Sequence, residues 1–271
     1  MFEVVDQKKL ALRECRLDRP VLMAMKQKLD AEWAFQEMAV SGTPLARMDV
    51  RRMIDAPNHV VLRARILREA FNFHRGMQFI DRFVARSPAD IGEAEVFGIH
   101  AVVVKELSDA HAARYRTDAP LEREPGQAVD ASAVPTAMAE IFRWVETAPH
   151  QHAIAQATEL HLKLMYIQPF KDMNARVSRL WLNLVLMQRG LPPALLGSEH
   201  RLAYGEAIAR AGQDGGNALA HIIADGVERA LDLCLDVVER ASTPLSLERA
   251  ATQMVVNAVE TVAPSALAAA K

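Results

Sequence analysis

The chain has 271 residues, 51% of them hydrophobic, and sets 32 Lys plus Arg against 34 Asp plus Glu. That length supports one large core with an appended helical lobe. The near-balance of charge excludes a whole-molecule field that would gather nucleic acid or an anionic membrane, so any phosphate site must be local.

Pro20 sits where a first helical turn tolerates it, and Val21, Met25, Leu29, Trp33 and Val40 recur at roughly helical spacing, which predicts a helix over 20–40. Gly42-Thr43-Pro44 breaks the pattern, and a short amphipathic segment over 48–54 ends at Pro57. Leu62, Ile66, Leu67, Ala70, Phe71 and Phe73 mark a second long helix over 60–82. Ser87-Pro88-Ala89-Asp90 reads as a helix start whose buried stripe is Val96, Ile99, Val103 and Leu107. Between Arg114 and Asp130 the periodicity fails, and Pro125-Gly126 signals a turn, so a loop or a poor hairpin is expected there. Helices resume over 132–146 and again through Ala157, Leu160, Leu164 and Ile167. His150-Gln151-His152 before that second helix is read as its polar start rather than as a metal site. Val177, Leu180, Trp181, Leu184 and Met187 form one face of the following helix, which Gly190-Leu191-Pro192-Pro193 stops. Two more helices are expected over 204–211 and 218–240, then an Ala-rich tail. The pattern divides into an N-terminal helical extension (1–90), a central domain (91–240) and a C-terminal tail (241–271).

Cys15 and Cys234 lie far apart, with no CxxC or Cys/His spacing, which argues against a disulfide framework and structural zinc. The first residues lack the apolar core of a signal peptide, and no later run approaches membrane-spanning length. A cytoplasmic location with no membrane contact is the expectation.

The segment joining two central helices, Gln168-Pro169-Phe170-Lys171-Asp172-Met173-Asn174-Ala175-Arg176-Val177-Ser178-Arg179, resembles the Fic signature H-[F/P]-F-x-[D/E]-G-N-G-R-x-x-R. It agrees at Pro169, Phe170, Asp172, Asn174, Arg176 and Arg179. The flanks are similar too: the preceding helix with His161, Tyr115-Arg116 with Val134-Pro135 near the family's flap, and Arg201-Leu202-Ala203-Tyr204 after it. Together these cover roughly 97–210. The resemblance implies an all-α Fic/Fido-like helical bundle with a short irregular or β-hairpin flap before the motif.

A helix N-terminus exposes unpaired N–H groups and a positive dipole end, which suits phosphate, and arginine offers a planar fork for phosphate oxygens. The resemblance implies ATP and Mg2+ as ligands. Asp172 would hold the Mg2+, Asn174 the α-phosphate, Arg176 the β-phosphate and Arg179 the γ-phosphate. The family moves AMP from ATP to a protein hydroxyl with the motif histidine as base, and its flap holds an extended segment of the target protein. Gln168 occupies the histidine position here. A glutamine amide can orient a hydroxyl but cannot take its proton, and general-base catalysis contributes about 10²- to 10⁴-fold. His161, seven positions earlier and about two turns away, is read as a packed core histidine. Met173 and Ala175 replace the two family glycines, and Met173 carries a Cβ penalty of about 1–2 kcal/mol if its backbone is left-handed.

Many Fic proteins restrain themselves with a helix bearing [S/T]-x-x-x-E-[G/N], whose glutamate pairs with the second motif arginine. Glu37-Met38-Ala39-Val40-Ser41-Gly42 is the best match. Ser41 stands at the glutamate position and Glu37 one turn earlier on the same face, still within reach of Arg179. The expected function is nucleotide binding with weak or no AMP transfer. The alternative is an inactive interaction module. In that reading Asp172 merely caps the helix after it, and Arg176 and Arg179 form surface ion pairs.

Overall fold

A computed structural model describes residues 1–43, 45–55, 65–108, 111–121, 128–147 and 151–242. Among them are ten α-helices, three short 3-10 turns and no strand, so the fold is all-α. The helices are α1 (Glu3–Glu14), α2 (Arg19–Val40), α3 (Arg47–Asp55), α4 (Arg65–Asp81), α5 (Glu93–Val104), α6 (Val134–Thr147), α7 (Ala153–Ile167), α8 (Asn174–Gln188), α9 (Arg201–Asp214) and α10 (Asn217–Ser242). Residues 60–64 of the helix expected over 60–82, the Pro125-Gly126 turn and the tail beyond Ser242 lie outside the described residues.

Local chemistry sets several boundaries. Asp18 caps α2 by accepting from Val21 N at 3.0 Å, with Pro20 in the first turn. His152 caps α7, its Nδ1 accepting from Ile154 N at 3.2 Å, so the expected polar start is a cap. The segment from Ser87 differs from expectation. Ser87 and Asp90 cap a single 3-10 turn, Pro88–Asp90, and Ile91 is extended. Gly92 N then donates to the Glu95 carboxylate at 3.1 Å, and α5 begins only at Glu93. It ends at Val104, and Leu107 falls beyond the helix, because Lys105 leaves the helical region and Glu106 turns left-handed at φ 57°.

α8 is the axis of the molecule. Every residue from Asn174 to Leu186 is buried, beyond the single apolar face expected, and the polar members Asn174, Arg176, Ser178, Arg179 and Asn183 each find hydrogen-bond partners inside. Leu180, Trp181, Leu182 and Leu184 are wholly enclosed, each worth about 1.5–3 kcal/mol of burial. α4, α5 and α7 pack directly on α8, while α1, α2 and α9 pack on α10, which itself lies on α7. One core cluster runs from Val5 of α1 to Leu231 of α10. α4 comes close to α8 because Gly76 has no side chain, since a Cβ there would lie 2.8 Å from Leu180 Cδ1. That approach brings Glu69, two turns earlier on α4, over the first turn of α8. No helix among the described residues is long and apolar enough to cross a membrane.

Candidate functional site

The six residues between α7 and α8 form a turn held open by two left-handed residues. Gln168 ends α7 at φ 46°, ψ 67°, and Met173 precedes α8 at φ 62°, ψ 21°. Only four non-glycine residues among those described have positive φ, and two of them are here. Such conformations cost about 1–3 kcal/mol each and persist where the surroundings impose them. The imposing contacts are visible. Asn174 Oδ1 accepts from Phe170 N and its Nδ2 donates to Phe170 O, both at 2.8 Å, so the amide clasps the turn. Phe170 is fully buried and stacks on His100 of α5, with centroids 3.9 Å apart and planes 6° off parallel. Asp172 Oδ1 accepts from Met173 N at 2.8 Å, and no side chain caps α8 itself. The first-turn N–H groups of α8 have no intrahelical acceptor, as in any α-helix, and the N-cap residue, Met173, offers them no side-chain cap.

Arg176 and Arg179 do not form surface ion pairs: they are 6% and 5% exposed. The closely packed α2 and α4 cover them. Glu37, 3% exposed on α2, accepts from Arg179 twice, Nη2 to Oε1 at 2.5 Å and Nε to Oε2 at 2.8 Å. Ser41 Oγ accepts from Arg179 Nη2 at 2.9 Å and donates to Glu37 Oε1 at 3.1 Å. Glu37 and Ser41 thus act together, with Glu37 providing the carboxylate. Burial acts against the Arg179 charge, but Glu37 and Tyr204 outweigh it and hold the guanidinium above its ordinary pKa. Arg176 Nη2 donates to Glu69 Oε2 at 2.8 Å and Nη1 to Met173 Sδ at 3.1 Å, while Nε faces Glu37 at 3.9 Å without a hydrogen-bond partner.

Gln168 is 1% exposed and its Oε1 has no hydrogen-bond partner among the described residues. Its backbone is fixed from the flap side. Arg116, 5% exposed, donates from Nε to Gln168 O at 2.7 Å and from Nη2 to Ile167 O at 3.2 Å and Val129 O at 2.5 Å. Arg116 N donates to Pro169 O at 3.0 Å and Leu121 N to Lys171 O at 2.7 Å, so the described flap lies along the turn without forming a strand. Tyr115 packs edge-on to Phe97 with centroids 4.8 Å apart, and burial pushes its phenol upward.

A buried chain of hydrogen bonds leads away from Arg179. Nη1 donates to Tyr204 Oη at 3.3 Å, which leaves the phenol hydrogen for His161 Nε2 at 2.6 Å. His161 then carries its proton on Nδ1, aimed at Ser178 Oγ at 2.7 Å, a tautomer assigned from these partners. His161 is fully buried, as a packed core histidine should be. Burial first and Arg179 second push its pKa down to about 3, and burial lowers His100 to about 4 against a weak contrary pull from the Asp172 backbone. Both are neutral in the fold at pH 7, whereas the unfolded chain protonates them below about 6.5. Their contribution is fully present above pH 6.5 and is lost as pH falls toward 4, because the unfolded state then binds more protons. Urea melts at pH 7.5 and 5.5 are expected to differ by ~3 kcal/mol, about 1.4 kcal/mol per histidine at one unit below 6.5. Burial shifts His74 and His200 downward too, which adds to the loss.

Two residues escaped the sequence reading: Glu69, and Tyr204 in its role on Arg179. The signal for Glu69 was an acidic residue inside the apolar pattern Ile66, Ala70, Phe73, four positions after Arg65. Arg65 Nε donates to Glu69 Oε1 at 2.8 Å and Arg65 Nη2 stands 3.9 Å from Asp172 Oδ2. Among the described residues no group of three or more His, Cys, Asp or Glu gathers as a metal cage. Asp172 is a single carboxylate beside the uncapped start of α8. That suits Mg2+ only where phosphate oxygens and water complete the coordination.

Residues 90–186 match the Fic/DOC family model, and the chain carries a domain of that kind. A protein adenylyltransferase Fic of Aedes aegypti is 38% identical over 96 residues, which are 35% of this chain and 19% of that protein. One of Drosophila ananassae is 35% identical over 100 residues, 36% of this chain and 20% of that one. The match thus spans about a fifth of the length of these curated relatives. In three dimensions the chain superposes on Fic-1 (residues 134–508) of C. elegans with a TM-score of 0.75 at 20% identity, covering 87% of this chain and 70% of the other. A Fic domain containing signaling protein of Bacteroides thetaiotaomicron gives 0.73 at 17% identity, covering 89% and 99%. These likenesses establish the Fic fold.

Proposed function

We propose that this chain is an adenylyltransferase-like nucleotide-binding protein whose phosphate site is closed by its own carboxylates and whose transfer step is disabled at Gln168. The observation that carries the reading is the bidentate hold of Glu37 on Arg179 at the uncapped start of α8. A buried ion pair is a weak stabiliser, because desolvating both charges offsets most of their attraction. A guanidinium kept there is well placed for a different anion. Arg179 and Arg176 suit the oxygens of a triphosphate, and the α8 N–H groups extend the same positive region. Asp172 would hold Mg2+, which when bound neutralises phosphate charge. Gln168 at the family histidine position can orient a hydroxyl but takes no proton.

Titration calorimetry with ATP and Mg2+ tests this. The unaltered chain is expected to bind in the millimolar range, since nucleotide must displace Glu37. Glu37→Ala is expected to bind about tenfold more tightly or better, the gain of one freed charge-assisted contact. No heat from either protein at millimolar nucleotide would remove the reading.

The alternative, an inactive module that captures an extended segment of a partner protein along the flap, needs free backbone donors there. In the described flap, Arg116 N and Leu121 N are already bonded to the turn, which favours the first reading. A pull-down lost on flap substitution but indifferent to Arg176→Ala would reverse that preference.

A further inference from the structure

Charge at the mouth of α8 is balanced by pairs. Arg65, Arg176 and Arg179 face Glu37, Glu69 and Asp172. The balance is built from two different helices. α2 supplies Glu37 to Arg179, and α4 supplies Glu69 to Arg176. The two carboxylates are not equivalent. Glu37 is deeply enclosed, its side chain 2% exposed, and both its oxygens are committed to Arg179. Glu69 lies nearer the rim, 12% exposed, and splits its oxygens, Oε2 to Arg176 and Oε1 to Arg65. Arg65 is one turn earlier on the same helix and 60% exposed. Glu69 can therefore release Arg176 and stay paired itself, and an incoming phosphate takes its place on Arg176, so neither partner is left as a stranded charge.

Arg176 is the less satisfied of the two arginines. Its Nε lacks a hydrogen-bond partner among the described residues although the residue is 6% exposed, and Nη1 settles for the Met173 sulfur at 3.1 Å. Guanidinium donors prefer charged oxygens to a thioether, which is a weak acceptor. The arrangement is that of a group held in reserve.

We propose that Glu69 is a second gate on this anion site and sets how long a phosphate chain it accepts. With Glu69 on Arg176 the site offers Arg179 alone once Glu37 leaves, and only one phosphoryl group finds a guanidinium. With both carboxylates withdrawn, two arginines spaced three residues apart on one helix face receive successive phosphoryl groups. The inference rests on the reading of the α8 start as a phosphate site.

The test measures binding of inorganic orthophosphate and inorganic tripolyphosphate, each with Mg2+, to the unaltered chain, Glu37→Gln, Glu69→Gln and the double variant. Glutamine keeps the shape and removes the charge. In Glu37→Gln the two anions are expected to bind within about threefold of each other. In the double variant tripolyphosphate is expected to bind about 30-fold more tightly than orthophosphate, the scale of one added bidentate contact. If tripolyphosphate already prevails by that factor in Glu37→Gln and the double variant adds nothing, Glu69 is no gate, while the phosphate site stands. If none of the four proteins binds either anion at millimolar concentration with its fold intact by circular dichroism, the site reading falls and the gate with it. Should the double variant not fold, Glu69→Gln alone decides. Its tripolyphosphate binding must exceed that of the unaltered chain, and a further Arg176→Met must abolish the gain.

Discussion

A chain carrying Gln168→His, Glu37→Ala and Met173→Gly is expected to move label from radiolabelled ATP to protein about 10²- to 10⁴-fold faster than the unaltered chain, the usual contribution of a positioned general base. Each substitution removes a different obstacle. Gln168 lies at the family base position, with Arg116 on its carbonyl and Leu164 O accepting from its N–H. Its backbone is therefore fixed independently of its side chain. Its Oε1 makes no hydrogen bond among the described residues, so replacing that oxygen breaks no recorded contact. Glu37→Ala frees Arg179, without which nucleotide is not held long enough to react. Met173→Gly relieves a left-handed residue, worth about 1 kcal/mol, and removes the thioether from Arg176 Nη1. Gln168→His alone is expected to stay near background, because the anion site remains closed. A triple variant that binds ATP by calorimetry yet transfers nothing would show that more than the base is missing.

Much of the helical order could be read from the chain because apolar spacing and caps are local properties. The α8 stripe of Val177, Leu180, Trp181 and Leu184 and the stop at Gly190 follow from residue type alone. Interactions set by tertiary approach could not be read. Glu69 reaches Arg176 where α4 packs on α8, a close approach that Gly76 eases, and no spacing rule connects residues 107 positions apart. Asn174 illustrates the same limit from inside the motif. That both its polar atoms clasp the Phe170 backbone follows from the path of the turn in space and from no spacing in the sequence. The late start of α5 and the 3-10 turn before it went unread for a different reason. The Ser87 capping box closes only a 3-10 turn, and the Glu95 carboxylate on Gly92 N, five residues after Ser87, sets the helix start.

Arg179→Met is expected to destabilise the fold by about 3–5 kcal/mol, the cost of stranding a buried charge. Methionine spans a similar length, so packing is largely retained. Glu37 would keep a carboxylate that is 3% exposed, and Ser41 and Tyr204 would each lose a donor. Glu37→Met should cost less, because Ser41 and Tyr204 still accept from Arg179. The combination Glu37→Met with Arg179→Met is expected to recover most of the loss, as apolar pairs of matching volume commonly do in place of buried ions. Urea denaturation of the four proteins forms a double-mutant cycle whose coupling reports the pair directly. A large coupling together with a stable double variant would mean that the core does not need these charges. The pair would then be understood as a cation with an internal counter-ion, exchangeable for an external anion. A double variant as unstable as Arg179→Met would instead assign the pair to the architecture, since the chain through Tyr204, His161 and Ser178 would fail with it.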